Sequence, residues 1–173
     1  MNTSLNINFQ KTALALIDLQ KGIVPVDQSG KGVPNGFVKV AFRDGTEALK
    51  PETDAPQQAS DEQPPDWAEF VPEIGVKEND YTVTKRRWGT FFGTDLDLQL
   101  RRRGIDTNVL CGIAANIGVE STAREAFQLG YQQIVITDAM AAFSAEQHES
   151  TLRFIFSRIG KTRTTEEFLT QVR

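Results

Sequence analysis

"CGIAANIGVESTAREAFQLGY", residues 111–131, runs from an apolar stretch through small residues into a helical pattern. Its first residues continue "TNVLCGI" (107–113), apolar enough for a strand covered on both faces. From Val119 the period changes: Val119, Ala123, Ala126 and Phe127 line one helical face, which stops at Gly130. A strand that turns directly into a helix is half of a βαβ unit, and the turn lies at the carboxyl edge of the sheet, where ligands bind in open α/β folds. Asn116 is placed to cap the helix, so that N–H groups near residues 117–119 face that edge and favour negative charge.

Working outward, the same alternation recurs. "TALALID" (12–18), "FVKVAF" (37–42), "DYTVTK" (80–85) and "QIVITDA" (133–139) read as further strands, with "KTRT" (161–164) a weak final edge. Helices separate the later ones. Thr94 caps "DLDLQLRRR", whose arginines complement the negative end of the helix dipole before Gly104 stops it. Ser144 with Gln147 and Thr164 with Glu167 have capping-box spacing, and Leu152, Ile155, Phe156 and Ile159 form a core stripe. The pattern predicts a doubly wound parallel sheet in a three-layer α/β/α arrangement, built as one domain over residues 1–173. Residues 50–72, rich in Pro, Gln, Asp and Glu, read as a long loop over the sheet's edge.

One connection breaks the pattern. "LQKGIVPVDQSGKGVPNG" (19–36) contains two prolines and four glycines and has no helical period, so the first crossover helix is either missing or unsupplied.

Composition narrows the function. At 39% hydrophobic and 24% charged, with a formal net charge of -4, the 173 residues suit a soluble globular domain without a basic field for nucleic acid. No apolar run reaches membrane-spanning length and the first residues do not resemble a secretory leader, so neither nucleic acid nor membrane is expected as a partner and the expected location is cytoplasmic. One cysteine and one histidine cannot assemble a Cys/His metal cluster, and no metal or cofactor is expected.

"ALALIDLQKGIV" (13–24), the block from Val83 to Ala139 and the "AEQH" segment (145–148) resemble the isochorismatase-like hydrolases, which include cysteine hydrolases such as nicotinamidase and carbamoylsarcosine amidohydrolase. The resemblance covers nearly the whole chain except residues 21–36. It implies catalytic positions at Asp18, at Lys85 and at a helix-start residue that is cysteine in the amidases and Gly118 here. Glycine provides no thiolate, and Cys111 lies seven residues upstream in a strand, where it reads as core. The departure points to the glycine-bearing subset, which cleaves an enol ether by acid catalysis.

In that reaction a carboxylic acid protonates the enol ether's methylene carbon, water adds to the oxocarbenium ion, and the hemiketal collapses to pyruvate and an alcohol. Asp18 is the expected acid, with Lys85 binding a carboxylate of a small anionic substrate. Gln20 is expected to support Asp18 and border the substrate, and Trp88 to wall its ring. Either Arg86 or Arg87 would meet a second carboxylate. Ala114, Ala115 and Asn116 supply the turn, and the resemblance implies a cis bond between Ile113 and Ala114 that aims an N–H at the substrate. His148, between Glu146 and Glu149, reads as a packing or capping residue. Two alternatives stay open: a degenerate fold that only binds a metabolite, and an amidohydrolase that uses water directly. Apolar residues in excess of one stripe, Phe91, Phe92, Phe127 and Leu129, together with the resemblance, imply a homo-oligomer, a dimer or a tetramer.

Overall fold

The computed structural model of the chain describes residue 5 and residues 7–21, 35–54 and 64–171. Six strands, β1 (Thr12–Ile17), β2 (Asn35–Val40), β3 (Tyr81–Lys85), β4 (Thr107–Ile113), β5 (Gln132–Ala141) and β6 (Lys161–Arg163), form one sheet in the order β3-β2-β1-β4-β5-β6. Every pairing in it is parallel. The chain reverses direction of growth at β1, so the crevice above the β1/β4 boundary is the topological switch point of a doubly wound fold.

Helices cover both faces. α1 (Leu96–Arg102) follows β3; α2 opens with a π-helical turn, Ala115–Val119, and continues as Glu120–Gln128. α3 runs through Ala145–Thr151, a π-helical turn Leu152–Phe156 and Ser157–Ile159, and α4 (Thr165–Gln171) closes the described chain. α1, α2 and α3 bury Leu96, Leu100, Val119, Ala123, Ala126 and Phe156 against Ala13, Ala15, Ile17, Val83, Leu110 and Val135. The opposite face packs Leu5, Val109, Cys111, Ile134 and Ile136 beneath Phe168 of α4. Cys111 is therefore core, and burial pushes its thiol up to about 12.

Local chemistry accounts for several boundaries. The Thr94 hydroxyl accepts the Leu96 N–H at 3.2 Å at the start of α1. Ser144 accepts the Gln147 N–H at 3.2 Å. At α4 the capping box is complete: Thr164 accepts from Glu167 N, and Glu167 accepts from Thr164 N. β2 lies two residues earlier than the apolar run suggests, at Asn35–Val40 instead of 37–42, because its register with β1 starts at Leu14↔Asn35. Most of the anomalous 19–36 connection falls at residues 22–34, outside the described residues, as do residues 55–63 of the long loop. The rest of that loop contributes a 3-10 turn, Pro72–Ile74, and a single antiparallel bridge between Phe70 and Gln20.

Candidate active site

The site is built where β1, β3 and α2 end or begin together. Asp18 directly follows β1, and its N–H donates to Val38 O at 2.9 Å. It turns away from the strand with φ 55°, in the left-handed region that aspartate tolerates better than a branched residue does. Beneath it Gly112, φ 122°, lets β4 approach β1 so closely that a Cβ there would overlap the backbone of Ile17. Asp18 is 5% exposed and Lys85, last residue of β3, is 2% exposed. Their charged atoms meet at 2.7 Å.

Lys85 has no free donor. Besides Asp18 Oδ2, its ammonium donates to the carbonyl oxygens of Arg87 at 3.1 Å and Trp88 at 3.0 Å, which uses all three N–H groups. The expectation that it binds a substrate carboxylate is therefore corrected: Lys85 holds Asp18. The other oxygen, Asp18 Oδ1, is buried without a partner. Burial raises the carboxyl above its ordinary value and outweighs the lowering by Lys85. The result is a desolvated acid with one oxygen left without a hydrogen-bond partner.

Gly118 lies in the first turn of α2, facing this oxygen pair. A Cβ at 118 would sit 3.0 Å from Asp18 Oδ2, 3.4 Å from Ile17 Cγ2 and 3.5 Å from Ile113 O. A side chain there would crowd Asp18, and glycine lets the start of α2 approach the carboxyl this closely. The Ile113–Ala114 peptide is cis, as the resemblance implied. Ala115 is fully buried and Ala114 nearly so.

Three sequence expectations change. Gln20 does not border a substrate and does not touch Asp18: its amide donates to Val40 O at 3.0 Å and Trp67 O at 3.2 Å and accepts from Val40 N at 2.8 Å, which clamps β2 to the long loop. Asn116 is not the cap of α2. Ala114 occupies that place, without a side-chain cap, because the helix starts two residues earlier as a π turn. The Asn116 amide instead reaches Gln147 at 3.4 Å, beside a polar hollow of about 410 Å³ lined also by Ser144, Glu146, Ser150 and Thr151. The arginines lean away from Asp18: Arg86 pairs with Glu47 at 2.9 Å, and Arg87 donates to the carbonyls of Glu47 and Arg86. Glu47, also bonded by Arg43, is held near 2 by that hydrogen bonding. Trp88, 68% exposed, presents its ring at the rim. The backbone N–H of His148 donates to Ser144 O within α3, and its ring Nδ1 is buried without a hydrogen-bond partner among the described residues.

The residues missed from sequence sit on α2. Thr122 and Glu125 follow Gly118 at i+4 and i+7, hence on one helical face, and that spacing was the available signal. Thr122 donates to Gly118 O at 2.7 Å and shares a hydrogen bond with Thr90 at 2.9 Å. Among the described residues no group of acidic, His and Cys side chains is arranged to hold a metal ion. An apolar cavity of about 360 Å³ lies elsewhere, beneath α1, over the small residues Ala13, Ala15 and Gly36, and holds none of the reacting groups.

A doubly wound sheet with a buried Asp/Lys pair facing a helix start defines a hydrolase of the isochorismatase-like class. The chain belongs to the isochorismatase family: the isochorismatase domain profile matches residues 12–167. It is 72% identical to the uncharacterized isochorismatase family protein YwoC of Bacillus subtilis (strain 168), with all of both chains covered. It is 45% identical to YecD of Escherichia coli O157:H7, over 95% of this chain and 98% of the other. A solved isochorismatase family protein from Burkholderia thailandensis superposes with TM-score 0.84 at 40% identity, covering 95% of each chain. The YwoC alignment spans 189 positions against 173 residues here, so at least 16 of its positions have no residue in this chain.

Proposed function

We propose that this isochorismatase-family hydrolase cleaves a small anionic enol ether by acid catalysis, with Asp18 as proton donor and no covalent intermediate. The observation that carries the reading is a desolvated carboxyl at the start of α2, tethered through Oδ2 to Lys85, whose Oδ1 has no hydrogen-bond partner among the described residues. A proton donor needs such an atom turned to the substrate, and burial keeps it protonated to higher pH than an exposed aspartate. Lys85 holds the carboxyl in place, and glycine at 118 puts no nucleophile beside it. The substrate's own negative charge then falls to the α2 start.

Pyruvate release from isochorismate, beside calorimetric binding of the same compound, tests this. Turnover that Asp18→Asn abolishes is the expected result. Binding without turnover would identify a degenerate fold, a reading favoured by the 16 or more positions absent relative to YwoC, about the length of a crossover helix, if they fall in the short β1–β2 connection. Hydrolysis of an amide would identify the water-using amidohydrolase; a relative from Acinetobacter baylyi, 37% identical over 58% of this chain and 42% of its own length, bears the name ureidoacrylate amidohydrolase. The same reading places the chain in the cytoplasm as a single-domain homo-oligomer acting on a small anion; no helix among the described residues is long and apolar enough to cross a membrane.

A further inference from the structure

The turn that orients Lys85 has no secondary structure of its own to hold it, yet two of its carbonyls, those of Arg87 and Trp88, are ammonium ligands. What holds the turn is α2. Glu125 Oε2 accepts the N–H of Phe91 at 2.8 Å and of Phe92 at 3.3 Å. Gly89 lies flat against the same carboxylate, and a Cβ at 89 would overlap it. The φ of Gly89 is not in the left-handed region, so glycine is required there for close approach and not for backbone conformation. One turn earlier on α2, Thr122 joins buried Thr90 to the carbonyl of Gly118.

We infer that Glu125 is a positioning residue for the reacting pair: by fixing the 87–92 turn it sets the carbonyls that aim Lys85 at Asp18. One helix thereby fixes both flanks of Asp18, the close approach of Gly118 at its first turn and the ammonium through Glu125 two turns on. Gly89 and Glu125 form a matched pair, the missing side chain of one making room for the carboxylate of the other. The inference rests on the reading of Asp18 and Lys85 as the working pair, but its geometry is testable without substrate. Of the charged groups on the surrounding elements, Lys85 alone pairs with Asp18; Arg86 is engaged by Glu47 and Arg124 by Glu120.

The test follows the Asp18 carboxyl by 13C NMR through a pH titration of the substrate-free protein. Loosening the turn weakens the hold of Lys85, so Glu125→Ala is expected to raise the Asp18 midpoint by about one pH unit, as loss of a close opposite charge does. Glu125→Gln, which keeps an acceptor oxygen at the two N–H groups, is expected to stay within about 0.3 unit of wild type. Gly89→Ala pushes the Glu125 carboxylate off the two N–H groups and should produce the same rise, so that failure of one variant to fold leaves the other as a test. Stability closes a cycle: Gly89→Ala should lower the urea midpoint in the wild-type background and change it little in a Glu125→Ala background, where the added Cβ meets no carboxylate. An unmoved Asp18 midpoint in folded Glu125→Ala or Gly89→Ala protein overturns the inference, and so does a Gly89→Ala cost that persists without Glu125. Failure of isochorismate turnover alone would bear on the proposed reaction and leave this assignment standing.

Discussion

Asp18 and Lys85, the proposed working pair, also stabilise each other, which changes what a single substitution can reveal. Asp18→Asn removes the only counter-charge, among the described residues, of an ammonium that is almost wholly buried. Breaking a buried pair from one side costs about 3–5 kcal/mol, and the retained amide oxygen places this variant near the lower end, about 3 kcal/mol. A lowered melting temperature therefore does not by itself mark Asp18 as structural. The double variant Asp18→Asn with Lys85→Met removes the unpaired charge, so urea unfolding should recover most of the lost stability while pyruvate release stays absent; recovered turnover would exclude Asp18 as the acid. The pH dependence has a definite sign. Asp18 has a folded-state pKa above its unfolded value, so its protonation-linked stability is full below the unfolded pKa and is lost as pH rises through the folded one. An acid that works protonated loses activity over the same rise. The single-proton falling limb of kcat should lie above the ordinary carboxylate range, and Lys85→Met should move it to still higher pH, because the lowering charge is gone.

Elements were readable from sequence where one local rule decides them. β4 at Thr107–Ile113 coincides with its apolar run, and the Thr164/Glu167 spacing corresponds to a complete reciprocal box. That box belongs to the helix that lays Phe168 over Val109, Cys111 and Ile134, so its loss should be felt in the core of that face. Thr164→Ala is expected to cost about 1 kcal/mol in urea unfolding, with protection lost first in amide exchange of residues 165–168. No change in either would mean that packing of Phe168 alone defines the helix start. Elements were misread where tertiary context decides. Asn116 has the chemistry of a cap, but the helix starts as a π turn at Ala115 and leaves Asn116 inside it. Gln20 follows Asp18 so closely in sequence that a shared role is the natural reading, yet the chain leaves the strand at Asp18 with φ 55°, which ends the alternation, and the Gln20 amide reaches the backbones of Val40 and Trp67. The site was half readable for the same reason. Asp18, Lys85 and Gly118 stand at strand and helix ends that the period locates, whereas the Gly89–Glu125 contact joins two elements 36 residues apart and has no signature along the chain.

Across the molecule the apolar surface is unevenly placed. Of the four residues expected to exceed one helical stripe, Phe91 is internal, its ring 5.5 Å from that of Tyr131, while Phe92, Phe127 and Leu129 remain exposed. Trp88 and Phe92 project from the turn that α2 holds, with Phe92 67% exposed, and Phe143, 79% exposed, follows β5 at the same carboxyl edge of the sheet. Monomers seldom leave several large aromatic side chains uncovered close to a site, and a two-fold contact would cover them twice over with one patch. The expected state is a dimer of about 38 kDa from chains of 19.2 kDa. Light scattering across micromolar concentrations measures it, and the paired substitution Trp88→Ser with Phe92→Ser should shift the distribution to monomer while leaving the Asp18/Lys85 pair in place, since Lys85 is held by the carbonyl of Trp88 and not by its ring. A wild-type mass near 19 kDa throughout would mean that these aromatic groups serve the substrate rim alone.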